Sequence, residues 1–502
     1  MLKFTDRLYD TVFGYIDLTE IEVKIINTPI FQRLHHIKQL GMAHIIFPNA
    51  VHTRFAHSLG VMFIMDKMVN HIRRNLSAVL PIEDEEHQLL RLAALLHDVG
   101  HFPFSHLGEK ATENVAYRRA TADEVEEVNT EEDREKGVDL LQAVKASGAK
   151  LHERLSCRIV QKWEDLRKVL TSYNIVPDDV GRIIVGGSLK LHHTMLLHSE
   201  LDADRLDYLL RDSTFLGVSY GNIELDHIVS MLDCKIYEDE PILGVKEKGI
   251  HAVEHYVLAR YFMYIQIIFN PKIYYLERLL NLVYEYMIEC MESSIHIYDK
   301  TEINTIINEN DHHRLYDFND NYLMYRMRLL HNYLDSKLDR ANPDWNSLDF
   351  IVNESIKLIL SGQIPQAIIA KQAIIDLDSA KKIESYKKVL KVQVESACKQ
   401  IGYPIQAVFY DFPPSKLTKM RSLYDPEKPP SPDEREEATR VIYSNRIGFI
   451  VSDKSTLLNQ VNTKQLQFFY LFVNPIILDK LGIDIDTAKK AFQDNIDTDI
   501  LF

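Results

Sequence analysis

Leu95–His106 reads LLHDVGHFPFSH, and two other stretches share its character: Val51–Gly60, VHTRFAHSLG, and Glu200–Asp212, ELDADRLDYLLRD. Each lies on or beside apolar residues spaced three and four apart, such as Leu89, Leu92, Ala93 and Leu96. That is the period of a helix buried on one face. A His-Asp pair alone has no weight, because a chain with 21 histidines contains on the order of one by chance. The set carries the reading: His57 before one helix, His97 and Asp98 at the end of another, Asp204 within a third. Three helices can bring such groups to one point. Imidazole nitrogens mixed with carboxylate oxygens suit Fe, Mn, Zn or Ni better than Ca. Four protein ligands leave room for water and substrate only on a metal that takes more than four, which favours octahedral Fe or Mn and leaves zinc open.

The rest of the chain sets bounds on this site. With 502 residues, 46% of them hydrophobic, there is material for a large core and for more than one domain. The formal charge of −15 argues against stable nucleic-acid binding and against an anionic membrane surface. An anionic substrate therefore needs a local cluster of cations. Cys157, Cys234, Cys290 and Cys398 are scattered with no CxxC pair, which argues against a disulfide framework and fits a cytoplasmic protein. The start, MLKFTDRLYD, has no apolar core of a signal peptide, and no run of about 18 apolar residues predicts a membrane span.

Sparse glycine and proline, 18 and 17 in all, and helical spacing as in Leu276, Leu279, Leu280 and Val283 predict a mainly α protein. Residues 1–300 are expected to form an all-helical core and 301–385 a helical extension. Residues 116–150 form a charged insertion, read as a solvated loop with a polar helix or as a lid. From 386 to 502 the texture changes to a smaller α+β unit: KVLKVQVESA, AVFYDF, RVIYSNRIGFIVS and QLQFFYLFV alternate like strands. A Pro-rich charged loop lies among them.

The order H…HD…D, carried by HTRFAHSLG, LLHDVGHFPFSH and LDADRLDYLLRDS, resembles the HD-domain metal phosphohydrolases. More narrowly it resembles the deoxynucleoside triphosphate triphosphohydrolases, bacterial enzymes and the animal sterile-alpha-motif/HD enzyme. The likeness starts at TPIFQRLHHIKQLG, near Thr28, runs to about Asn270 and weakens beyond. No sterile-alpha-motif domain precedes the motifs, so the bacterial type is expected. The resemblance implies His57, His97, Asp98 and Asp204 as metal ligands, with Mg or Mn accompanying the triphosphate. It implies cleavage of a dNTP to deoxynucleoside and triphosphate. It makes His152 with Glu109 the general-acid pair and His101 and His106 contacts of the α-phosphate; either of these two could instead be the acid. Arg54, Arg205 and Arg260 match phosphate contacts, for which arginine forks are suited. Gln39 and Asp212 are expected at the 3′-hydroxyl, Leu40 against the 2′ position and Tyr208 at the sugar.

Relatives of this kind are homotetramers or larger, with nucleotide-regulated clefts between subunits, so a homotetramer is expected here. The guanine-reading positions hold Asn27 and His35, although Gln32 and Arg33 are retained, and FNPK at Phe269–Lys272 departs from the usual His-bearing version. A nucleotide activator is therefore expected not to be strictly GTP. The apolar helices beyond residue 270 fit an oligomer interface. Two other readings are another HD phosphohydrolase, acting on a nucleoside monophosphate or a nucleic-acid end, and a nucleotide-binding regulator without turnover.

Overall fold

A computed structural model describes residues 2–122, 148–237, 240–339, 343–364, 366–376, 380–416, 440–443, 447–449 and 464–497. The chain opens with an antiparallel hairpin, β1 (Phe4–Asp10) and β2 (Gly14–Thr19), turning at Gly14 with φ +75°. The helix α1 (Glu20–Ile26) follows, then the helices that carry the motifs: α2 (Arg54–Asn75), α3 (Asp84–Leu96), α4 (His106–Ala122), α5 (Leu151–Lys162), α6 (Leu191–Leu197) and α7 (Ala203–Leu216). The fold is mainly α, as the spacing predicts. Most of the charged insertion, 123–147, lies outside the described residues.

The helical core is not purely helical. Besides β1–β2 it holds β3 (Leu232–Tyr237) and β4 (Glu240–Lys246), an antiparallel pair that the reading of residues 1–300 misses. Its helices α8 (Ile250–Met263) and α9 (Pro271–Glu289) lead away from the motifs. Asn270 caps α9 and Pro271 opens it, while Phe269 stacks on Phe468 at 4.8 Å. The FNPK stretch is thus a helix start packed against the C-terminal sheet.

Helix α9 is buried around most of its girth: Tyr275, Leu276, Leu279, Leu280, Val283, Tyr284 and Met287 are all inaccessible. It shares one buried cluster with Phe104, Ala111 and Val115 and with Phe468, Tyr470 and Phe472 of the C-terminal sheet. Its apolar character is thereby used within the chain, so the argument for an oligomer from that hydrophobicity falls away. Two further helices, α10 (Asp320–Lys337) and α11 (Leu348–Ser361), complete this layer.

The C-terminal sheet begins inside the stretch expected to be a helical extension, at β5 (Ala367–Asp376). The segment KVLKVQVESA is not a strand: it lies in α12 (Ala380–Ile401). Tyr386, Leu390, Val394, Ala397 and Cys398 are buried at helical spacing, whereas Val389 and Val392 are exposed. Exposed Val392, between buried Leu390 and Val394, created the false alternation. Next come β6 (Val408–Asp411), β7 (Pro414–Lys416), β8 (Arg440–Ile442), β9 (Ile447–Phe449) and β10 (Lys464–Val473). In one sheet β10 pairs antiparallel with β5, β6 and β7. The strands of RVIYSNRIGFIVS leave that unit: β8 pairs parallel with β4, and β9 with β8, in the sheet of the helical core.

Helices α2 and α7 cross at Gly60. A Cβ there would lie 1.8 Å from Asp207 Oδ1 and 2.4 Å from Arg211 Nη2, so the backbones approach closely because residue 60 has no side chain. Gly60→Ala should cost about 1–3 kcal/mol of stability by overpacking, read as a lowered denaturation midpoint. An unchanged midpoint would show that this crossing tolerates separation.

Candidate active site

His57 sits in the first turn of α2 rather than before the helix. His97 is the C-cap of α3 and Asp98 follows it. Asp204 lies in the first turn of α7, capped by Asp202, whose carboxylate accepts from the Arg205 N–H. These ends meet. His57 Nε2 is 3.1 Å from Asp204 Oδ1 and 3.6 Å from Asp98 Oδ2; His97 Nε2 is 3.3 Å from Asp98 Oδ1 and 4.0 Å from Asp204 Oδ1. Both imidazoles are buried, and neither Nε2 has a hydrogen-bond partner. Their Nδ1 atoms are committed elsewhere, to Asp207 at 2.6 Å and to the Ala94 carbonyl at 2.8 Å. An Nδ1–H so held leaves the Nε2 lone pair facing the carboxylates, the tautomer a metal needs. Two orphaned nitrogens and two carboxylates converging on one point fit a divalent cation.

The electrostatics agree. Burial opposes charge on His57, yet the Asp204 carboxylate facing Nε2 and the Asp207 carboxylate bonded to Nδ1 raise its pKa to about 10. The carboxylates therefore create a field that calls for positive charge at Nε2. Burial works to raise the Asp98 pKa, but the Arg54 guanidinium, donating at 2.7 Å, holds it well below the ordinary carboxylate range. Burial lowers the His97 pKa, so that ring is neutral and able to ligate.

A second cluster adjoins the first across Asp98. His101 and His152 stack with ring centroids 4.0 Å apart, and their Nε2 atoms lie 3.4 and 4.0 Å from Asp98 Oδ1. Glu109 Oε2 accepts from His152 Nδ1 at 2.9 Å and from His106 Nδ1 at 3.1 Å, while its Oε1 accepts the His152 backbone N–H. Burial opposes ionisation of Glu109, but its two histidine partners hold the carboxyl far below its usual range. His101 has no hydrogen-bond partner at either ring nitrogen, and burial with the nearby Arg54 charge keeps it neutral. The His106 side chain is 56% exposed, and its pKa is lowered, by desolvation against the opposing Glu109 bond.

The sugar-side residues come together less completely. Residues 37–39 pair with 52–54: Gln39 N donates to the His52 carbonyl and Arg54 N to that of Ile37. Gln39 is buried with no partner on Oε1, and Leu40 is half-buried against the core. Asp212 is already bonded, its Oδ1 accepting from His52 Nε2 at 2.7 Å. Arg205 donates to the Ser199 carbonyl, and Arg260 lies over the Tyr264 ring at 5.5 Å. Tyr208 is half-buried, and the charges of Arg205 and Arg260 both reach it.

Several contributors escape sequence reading. Asp207 and His52 are such residues; so is Asp320, whose carboxylate accepts the N–H groups of Lys38 and Phe104 from far along the chain. Phe104 and Ser105 both have positive φ, +57° and +58°, a strained turn that this anchoring sustains. Arg33 is buried and donates to the carbonyls of Val99, His101 and Phe318. Asn27 is an exposed C-cap, and the exposed His35 stacks on Phe55 at 3.6 Å. The motif LDADRLD carried one usable signal, since Asp204 and Asp207 stand three apart on one helix face.

Residues 54–212 match the HD domain family, and the chain carries an HD domain. The Bacillus subtilis protein YwfO is 34% identical over 265 residues, 52% of this chain and 51% of that protein. The human deoxynucleoside triphosphate triphosphohydrolase SAMHD1 is 44% identical over 98 residues, 20% of this chain and 16% of that enzyme. The chain thus spans about half the length of the first of these relatives and far less of the second. The crystal structure of a phosphohydrolase from Bacteroides thetaiotaomicron superimposes over 93% of this chain and 99% of its own with a TM-score of 0.62, at 22% identity, a likeness of fold. His57, His97 and Asp204 of this HD domain form a group that could hold a metal ion. Among the described residues no helix is long and apolar enough to cross a membrane.

Asp207→Asn should lower the affinity for a divalent cation about 10- to 100-fold, because the orienting partner of His57 is lost. Competition against a chromophoric chelator measures it, and unchanged affinity would remove Asp207 from the centre.

Proposed function

We propose, from the HD domain and the two adjoining clusters, that the chain is a divalent-metal-dependent dNTP triphosphohydrolase. It converts a dNTP and water to deoxynucleoside and inorganic triphosphate. The observation that carries the reading is the sharing of Asp98 between the ligand set and the His101–His152–Glu109 relay. When bound by His57, His97, Asp98 and Asp204, a divalent cation of the Fe, Mn, Zn or Ni kind supplies Lewis acidity, easing ionisation of water and polarising a phosphoryl oxygen.

The other residues do the positioning and the proton work. Water forms a bond to the α-phosphorus and loses a proton to solvent, from which His152 is later reprotonated, while the bond to the 5′ oxygen breaks. The leaving alkoxide is a poor one and takes a proton from His152 Nε2, whose Nδ1–H is held by Glu109. His101 and His106 line the α-phosphate side. Arg205, Arg260 and Arg54 bind the phosphates together with the Mg or Mn that accompanies them, although Arg54 is also tied to Asp98. Gln39, with its unpartnered Oε1, and Asp212 meet the 3′-hydroxyl; Tyr208 packs on the sugar and Leu40 crowds the 2′ position. A site that pairs with one hydroxyl and excludes another discriminates against ribonucleotides.

The chain is read as a homotetramer whose activator, where there is one, is not strictly GTP. Support comes from Asn27 and His35 in place of guanine readers and from Arg33, which is buried as a clamp on the histidine loop. Light scattering beside a rate measurement with one dNTP, with and without GTP, tests this; a monomer, or activity only with GTP, overturns it.

A panel of dNTPs with Mg²⁺ or Mn²⁺ should release deoxynucleoside and triphosphate. Orthophosphate or shortened oligonucleotides would point to a different HD phosphohydrolase. His97→Ala with Asp98→Ala should abolish metal binding at the catalytic centre and turnover together. His152→Asn should lower kcat about 10²- to 10⁴-fold with metal content retained, as expected for loss of a general acid. Wild type should cleave ATP far more slowly than dATP, and Leu40→Ala should narrow that gap; equal wild-type rates would remove Leu40 as the steric gate.

A further inference from the structure

A second set of ligand-type side chains lies at the far end of α3. Glu86, in its first turn, faces His192 and His193 in the first turn of α6. Both Nε2 atoms lie 2.7 Å from the same carboxylate oxygen, Glu86 Oε1, with the two rings edge to face at 4.6 Å. The three side chains are 14%, 6% and 5% exposed. Ser188 Oγ lies 2.9 Å from His193 Nδ1, and the His192 Nδ1 is buried with no partner. Lys190 Nζ contacts the other carboxylate oxygen at 2.7 Å, but its side chain is 55% exposed. Beside the group opens a cavity of about 390 Å³, lined in part by Glu86, His193, Ser188, Asp179 and Arg182.

We propose that Glu86, His192 and His193 form a second, structural cation site for a zinc-class ion. Two imidazoles and one carboxylate are a borderline-soft set that zinc accepts, with a fourth, tetrahedral position open to water from the cavity. Opening the 2.7 Å contacts by about 0.7 Å would seat an ion about 2.1 Å from each donor atom. The hydroxyl of Ser188 can rotate to accept an Nδ1–H, which orients His193 as a ligand. Lys190 gives way to solvent, because an exposed ion pair contributes little. The protonation states suit ligation as well: burial keeps His193 neutral, and although burial opposes it, the two histidines and Lys190 keep Glu86 ionised.

The site's place gives it a role. Helix α3 runs about 16 Å from Glu86 to His97, and α6 leads within a few residues to α7 and Asp204. An ion here would pin together the two elements that carry His97, Asp98 and Asp204, from outside the catalytic cleft. The proposal does not depend on the reaction assigned to that cleft.

Metal-stripped full-length protein, titrated with Zn²⁺ against a chromophoric chelator, tests it. Wild type is expected to bind one equivalent more than His192→Asn with His193→Asn, whose amides keep the N–H donors but ligate zinc poorly. Asp204→Asn is expected to retain that extra equivalent, which separates this site from the catalytic one. Equal zinc uptake by wild type and the double variant would mean a hydrogen-bonded staple without metal and would overturn the proposal. Should the double variant not fold, as judged by circular dichroism, Glu86→Gln replaces it. There the extra equivalent is expected to bind at least about 10-fold more weakly, and unchanged affinity overturns the proposal equally. With Co²⁺ in place of zinc, wild type is expected to show the intense visible absorption of a four-coordinate ion; absorption unchanged by the substitution counts against it.

Discussion

The hydrogen bond from His57 Nδ1 to Asp207 governs the geometry of the centre. Asp207 is buried and ionised: desolvation opposes its charge, but Arg211 and His57 hold its pKa down. An ionised carboxylate only accepts, so Nδ1 carries the hydrogen and Nε2 turns toward Asp98 and Asp204. Arg211 grips both oxygens of Asp207 at 2.9 Å and reaches Asp10 at the end of β1. One chain of contacts thus links the N-terminal hairpin, α7 and α2. A buried charge is costly unless paired, and here each of these groups is paired with the next. Residue 60 has to be glycine for α2 and α7 to approach closely enough for this chain to form.

The histidine loop between α3 and α4 is fixed by different means. Its carbonyls at Val99 and His101 are held by Arg33, and its strained turn at Phe104 and Ser105 by Asp320, by the Lys38 carbonyl and by Arg54. Left-handed backbone at two successive non-glycine residues costs energy and persists only when the surroundings over-determine it. The turn lets α4 begin at His106 and bring Glu109 under His152, so the relay depends on residues more than 200 positions away in sequence.

This distance explains what was legible. His57, His97, Asp98 and Asp204 could be read because each lies at a helix end marked by local periodicity, and their convergence needs only three helices to meet. Asp207 was within reach, three residues from Asp204, but one carboxylate on a helix looks like any solvated charge. His52 and Asp320 carry no local signal, because their meaning comes from partners at Asp212 and Phe104 that only the tertiary fold supplies. Arg33 sits in a block read as nucleotide-facing and proves to be a buried clamp. The error at α12 has a similar cause. Exposed Val392 falls in phase with Leu390 and Val394 and mimics strand alternation, and only knowledge of which residues are covered distinguishes the two periods. The pairing of β8 with β4, nearly 200 residues apart, is a tertiary fact with no trace in the segment itself.

An acidic protein that handles a polyanion must concentrate positive charge locally, and the charge balance shows where. Asp98 and Asp204 supply the carboxylate charge of the proposed metal centre, and Arg54 donates to Asp98. Arg211 is consumed by Asp207 and Asp10. Of the three arginines proposed to bind phosphate, Arg205 lies 3.6 Å from Asp202 and Arg260 lies over the Tyr264 ring. Burial pushes the Asp202 carboxyl up to about 7, with Asp204 adding to the shift and Arg205 opposing it. An approaching polyanion would raise it further and favour its neutral form, freeing more of the Arg205 charge for the ligand. Lys150, at the start of α5, adds a charge felt by both Asp202 and His106. The net charge of −15 keeps the wider surface unattractive to anions, so positive potential in the cleft has to come from local arginines.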